Sequence, residues 1–176
     1  MIIDPVRNPS VNSAVNPNFN SAINPNFNSS INPNFNSAIN PNFNSSINPN
    51  FNSTINPNFN SSINPNFNSA INPNLNTSIN PLYNTNINPN YVTSLNGFYL
   101  HAWGGITIVG FAIRASSQVV LIYNMQTQFC SFGVVGNMGV ILLFDLNMKW
   151  IGMWVPVGTG NYCIYNLNMS LAGYTT

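Results

Sequence analysis

An eight-residue repeat runs through the first half of this chain and decides what that half can build. From Arg7 to Ser94 the sequence reads as eleven octads of the form Ile-Asn-Pro-Asn-Phe-Asn-Ser-(Ala/Ser). Each octad opens on an apolar residue, Val15 and then Ile23 to Ile87 in steps of eight, except the first, which opens on Arg7. A proline follows two positions later, from Pro9 to Pro89. An α-helix is excluded. Proline in a helix interior costs about 3 kcal/mol each time, and a period of eight would carry an apolar stripe around a 3.6-residue helix.

A period of two fits the composition of each octad. Odd positions are Ile, Pro, Phe and Ser, and even positions are almost all Asn, so one face is apolar and the other is amide. Asn-Pro-Asn is a turn signal, because proline presets φ and asparagine tolerates turn geometry. Each octad therefore reads as a short strand, Phe-Asn-Ser-Ser-Ile, bent at Asn-Pro-Asn. The expected core is Ile23, Phe27, Ile31, Phe35, Ile39, Phe43, Ile47, Phe51, Ile55, Phe59, Ile63 and Phe67, pointing inward together. One octad cannot bury such a face alone, but stacked octads can. Three arrangements compete: a trimeric β-helical shaft with one octad per chain and layer, a single-chain β-solenoid of 16-residue turns, and an extended spacer. The regular Ile and Phe argue against the spacer.

The octad, with Ile23 and Pro25, Ile31 and Pro33 and so on, resembles the triple-stranded β-helix in the needle of contractile-tail phage spikes and related secretion-system tips. It departs in carrying proline where that pattern favours glycine. The resemblance covers residues 7–94 and implies a trimeric rod rather than a puncturing activity. The shaft-plus-head layout is likewise similar to viral and phage fibres and to bacterial surface appendages.

After Leu95 the Asn-Pro units stop and Trp, Met, Val and Gly enter. Short apolar segments divided by turn residues predict eight strands, near 98–103, 106–114, 118–123, 128–135, 139–144, 149–155, 161–165 and 170–174. That spacing indicates a small β-sandwich or barrel. The expected organisation is all-β: residues 1–6 an N-terminal segment, 7–94 the shaft, and 95–176 a head that also oligomerises. Met1, Ile2 and Ile3 are apolar, and either dock on the head of the next subunit, joining copies head to tail, or form a frayed tip.

Charge excludes several function classes. The 176 residues hold three basic and two acidic side chains, and none occurs between Asn8 and Ile113. There is no electrostatic footprint for nucleic acid, no run long enough to span a membrane, and no secretory signal in Met-Ile-Ile-Asp-Pro-Val-Arg. The lone histidine, His101, lies in an apolar strand and reads as structural rather than as a catalytic base. Cys130 and Cys163 lack metal-ligand spacing; they are either buried thiols or a disulfide. Trp103, Trp150 and Trp154 could line a sugar site, although core packing and oligomer contacts explain them equally well. Acceptor triplets at Asn28, Asn44, Asn52, Asn60, Asn76 and Asn168 arise by chance in an Asn/Ser repeat. The expectation is a non-enzymatic structural subunit of an extracellular, cell- or spore-surface or virion fibre, without cofactor and with itself as main partner. The alternative is a fibre whose head recognises a receptor or glycan.

Overall fold

The computed structural model describes residues 12–80, 82–86, 97–157 and 160–176; Met1, Ile2 and Ile3 lie outside them. The described octads contain no strand. Each is a pair of tight turns, Asn-Pro-Asn-Phe followed by Asn-Ser-(Ala/Ser)-Ile, the second most often a single turn of 3-10 helix such as Ser29–Ile31.

Asparagine builds both turns. In the octad from Asn24 to Ile31, the Asn24 carbonyl accepts from the N–H of Phe27 at 3.0 Å and of Asn28 at 2.9 Å, and the Asn28 carbonyl accepts from Ile31 at 3.3 Å. The side-chain oxygen of each asparagine accepts from the backbone two residues on, Asn26 at 2.9 Å and Ser30 at 3.1 Å. The amide nitrogens tie one octad to the one before it: Asn32 donates to the Pro25 carbonyl at 2.8 Å, and Asn36 to the Ser30 carbonyl at 2.6 Å. This bonding satisfies asparagines that the packing buries, such as Asn32 and Asn40, as buried amides require.

The expected β shaft and β-solenoid are thereby corrected. Asparagine that bonds its own backbone offers the chain an alternative to a strand ladder, and here the turns win. The inward set is corrected too. Residues four apart share a face in a strand, but a tight turn between them sends them to opposite sides. Ile31, Ile39, Ile47, Ile55, Ile63 and Ile71 are buried. Phe27, Phe35, Phe43, Phe51, Phe59 and Phe67 are each at least 76% exposed.

The second half is a closed, up-and-down antiparallel barrel in which every strand pairs with its sequence neighbours and the last pairs with the first. Its strands are β1 Gly97–Ala102, β2 Ile108–Arg114, β3 Val119–Asn124, β4 Phe129–Val135, β5 Ile141–Asp145, β6 Trp150–Pro156, β7 Tyr162–Asn166 and β8 Leu171–Thr175. The eight expected strands are all present, and closure removes the exposed edges of an open sheet.

Four hairpins compose the barrel, and each carries a bulge on its second strand. The unpaired residues are Val109, Cys130, Ile151 and Ala172, spaced 21 residues apart. Bulges sharpen coiling and allow a small barrel to close. Gly110, Gly152 and Gly173 follow three of them; a Cβ at Gly173 would stand 2.3 Å from the His101 carbonyl oxygen.

Strand alternation gives the wall two apolar faces. Phe98, Leu100, Ala112, Val120, Ile122, Ile141, Leu143 and Trp154 form one cluster. Phe98 meets Trp154 edge-on at 5.7 Å, linking β1 to β6, which are not neighbours; this face is therefore the interior. The other face carries Phe111, Tyr123, Phe132, Phe144, Met153 and Tyr165 in one cluster with the octad isoleucines. The octads thus clothe the outside of the barrel as a belt. Each isoleucine so covered contributes about 1.5–3 kcal/mol. The sequence boundary at residue 95 separates two kinds of sequence that share one core.

Candidate functional site

The belt is registered on the hairpin turns. The β3–β4, β5–β6 and β7–β8 turns begin at Asn124, Asp145 and Asn166, whose side-chain oxygens each accept two backbone N–H groups, two and four residues on, at 2.9–3.0 Å. The fourth turn residue is left-handed: Thr127 at φ 62°, Met148 at 63° and Met169 at 57°. A glycine would adopt that conformation more easily. The non-glycine residues there are buried, and both methionines join the outer-face cluster. Their carbonyls accept from the belt: Asn74 to Thr127 at 3.1 Å, Asn50 to Met148 at 3.1 Å, and Asn26 to Met169 at 3.0 Å. The donors are 24 residues apart and the acceptors 21, so three octads travel per hairpin, in the direction opposite to the strand order.

Tyrosines reinforce two of these stations. Tyr123 donates its hydroxyl to the Ile71 carbonyl at 2.7 Å, and Tyr165 reaches the Ile23 carbonyl at 3.5 Å. Burial pushes both hydroxyls well above the ordinary tyrosine range. The equivalent residue of the third hairpin is Phe144, which has no hydroxyl to offer.

Two surfaces follow. The first is the aromatic row on the belt's solvent side: Phe19, Phe27, Phe35, Phe43, Phe51, Phe59 and Phe67, each 76–78% exposed, continued by Leu75 and Tyr83. Scattered apolar side chains on a surface are ordinary; a periodic row of large ones is not. The second is a half-open cleft of about 210 Å³ between the belt and the β5–β6 turn. Phe144, Met148 and Trp150 line it from the barrel, and Asn42 and Asn50 from the belt, with Lys149 beside them.

No protein-family model, curated protein or solved structure matches the chain.

The remaining residues singled out in the sequence are scattered. His101 is buried, stacked on Tyr174 with ring centroids 4.7 Å apart. Its Nδ1 lies 3.2 Å from the Ile106 carbonyl and its Nε2 2.9 Å from the Thr176 hydroxyl. The carbonyl requires a proton on Nδ1, so Nε2 accepts from Thr176. Cys130 is an exposed bulge thiol and Cys163 a buried one, and both are free. They stand on β4 and β7, three strands apart, about 14 Å at ordinary strand spacing, beyond disulfide reach. Burial pushes the Cys163 thiol up to about 12, which disfavours the reactive thiolate. Of the three tryptophans, Trp154 fills the barrel interior, Trp103 meets Tyr174 edge-on, and Trp150 reaches the cleft. Among the described residues no cluster of three or more metal-ligating side chains occurs. No helix there is long and apolar enough to cross a membrane.

Proposed function

We propose that this protein is a structural subunit that assembles side by side with copies of itself, through the aromatic row of its belt, into a surface-layer or fibre-like array outside a cell, spore or particle. The observation that carries the reading is the row of seven phenylalanines at a constant eight-residue spacing. A second copy presents the same spacing, and no described belt residue carries a charge that would oppose their approach.

Curvature sets the kind of assembly. Four hairpins complete the barrel and three octads accompany each, so successive rings diverge by about 30°. Two convex belts therefore meet over two or three rings apiece, about 300–450 Å² per partner. One such contact is below the size of a stable interface. A molecule offering several of them gains avidity and grows in more than one direction.

Light scattering and electron microscopy test the reading. Wild-type protein should form higher assemblies in a steeply concentration-dependent manner. Asparagine in place of all seven, Phe19, Phe27, Phe35, Phe43, Phe51, Phe59 and Phe67, should leave it monomeric with an unchanged melting temperature. Ile55→Ala, by contrast, should cost about 2–5 kcal/mol of stability, because Ile55 is 1% exposed. Assembly of the sevenfold variant at wild-type concentration would reject the proposal.

A further inference from the structure

The cleft at the β5–β6 turn has a composition that the aromatic row does not explain. Its lining divides into four apolar and four polar residues. A wholly apolar occupant would strand the polar half, which burial penalises; a wholly polar one would waste the aromatic half. The fitting occupant is itself two-faced.

Each wall is already set. The Trp150 indole donates its N–H to the Gly152 carbonyl at 2.7 Å, so the ring is held in place and offers its face rather than its nitrogen. Asn50 donates to Met148 and keeps its side-chain oxygen as an acceptor. The Asn42 side chain is exposed and enters no hydrogen bond among the described residues, so it offers both donor and acceptor. Lys149 brings an exposed ammonium, and Asp145 of the same turn uses a carboxylate oxygen on the backbone N–H groups of Asn147 and Lys149. The volume holds about one sugar ring.

We infer that this cleft binds one pyranose residue bearing a carboxylate, an acidic sugar of a glycan, with its apolar ring face on Trp150, its hydroxyls on Asn42 and Asn50, and its carboxylate on Lys149. A planar indole against the C–H face of a pyranose buries apolar area on both partners. The amides meet hydroxyls that are both donors and acceptors, and an ammonium–carboxylate bond is the stronger, charge-assisted kind.

Titration of the full-length protein with methyl β-D-glucuronide and methyl β-D-glucoside tests this, read by indole fluorescence and by the Trp150 Nε1–H resonance. The glucuronide should saturate in the millimolar range, about fivefold or more below the glucoside. Lys149→Gln should remove that difference. Asn42 is exposed and outside the core, so Asn42→Ala removes one of the hydroxyl partners without touching the packing. It should weaken both sugars about fivefold at an unchanged melting temperature. The inference is overturned if neither sugar saturates by about 50 mM, if the two bind alike, or if Asn42→Ala binds as the wild type does.

Discussion

His101 closes the barrel seam, and its protonation state bears on stability. β8 meets β1 there, with Tyr99 and Thr176 exchanging both backbone hydrogen bonds at 3.0 Å. Burial lowers the His101 pKa from 6.5, partly offset by the bond to Ile106. The unfolded chain therefore takes up the proton before the folded one. The stabilisation is complete above pH 6.5 and is lost as pH falls through the lowered folded value. The slope cannot exceed about 1.4 kcal/mol per pH unit for one group. Thermal melts from about pH 7.5 down to about pH 5 should show a falling midpoint that His101→Gln flattens; equal slopes would show that His101 is not the group. The burial of His101 was legible from the apolar strand around it. The left-handed Met148 and Met169 were not, because methionine carries no turn signal and their conformation depends on the belt above them.

At the scale of elements, the two halves of the sequence differed in how openly they declared their structure. Eight strands were readable because apolar segments such as Val119–Asn124 end at Asn, Asp or Gly turns. The 21-residue hairpin repeat was hidden. The turn-opening Asn or Asp, the aromatic residue before it and a small residue after the bulge recur in the last three hairpins, but the first hairpin is one residue longer, pairing His101 with Ile108 where the second pairs Tyr123 with Phe129. In the octads the pattern was plain and the geometry was misread, since Ile and Phe four apart share a face only in an extended chain. The cleft was invisible because Asn42 and Trp150 become neighbours only through the match of three octads to one hairpin. Deletions can check this account of the belt. Removing one octad, residues 32–39, leaves every isoleucine on the barrel side and lets the next octad take over each carbonyl station; melting should remain cooperative, with a modestly lower midpoint. Removing half an octad, residues 28–31, puts phenylalanines where isoleucines belong for the rest of one flank. That variant should lose cooperative melting, and a stable fold would mean that the sidedness is not set by the turns.

For the whole molecule, the lack of charge sets how assembly responds to its surroundings. With no charged side chain among the described belt residues, there is nothing in that contact to screen, and self-association should be the same in about 50 mM and about 500 mM sodium chloride. Sulfate should strengthen it and cooling should weaken it, as apolar contacts do. Sedimentation velocity under these conditions provides the check, and a steep loss with sodium chloride would point to an electrostatic contact instead. The shared core also means that neither half is an independent unit. The outer-face side chains Phe111, Phe132 and Met153 are 0% exposed with the belt in place, so a barrel without it would present a fully apolar wall to water. Growth by duplication is constrained in the same way. One added hairpin would need 24 further belt residues to dress it, and one added octad would gain no hairpin to lie on. Any lengthening of this chain must therefore occur in matched lots, one wall segment with its three wrappings.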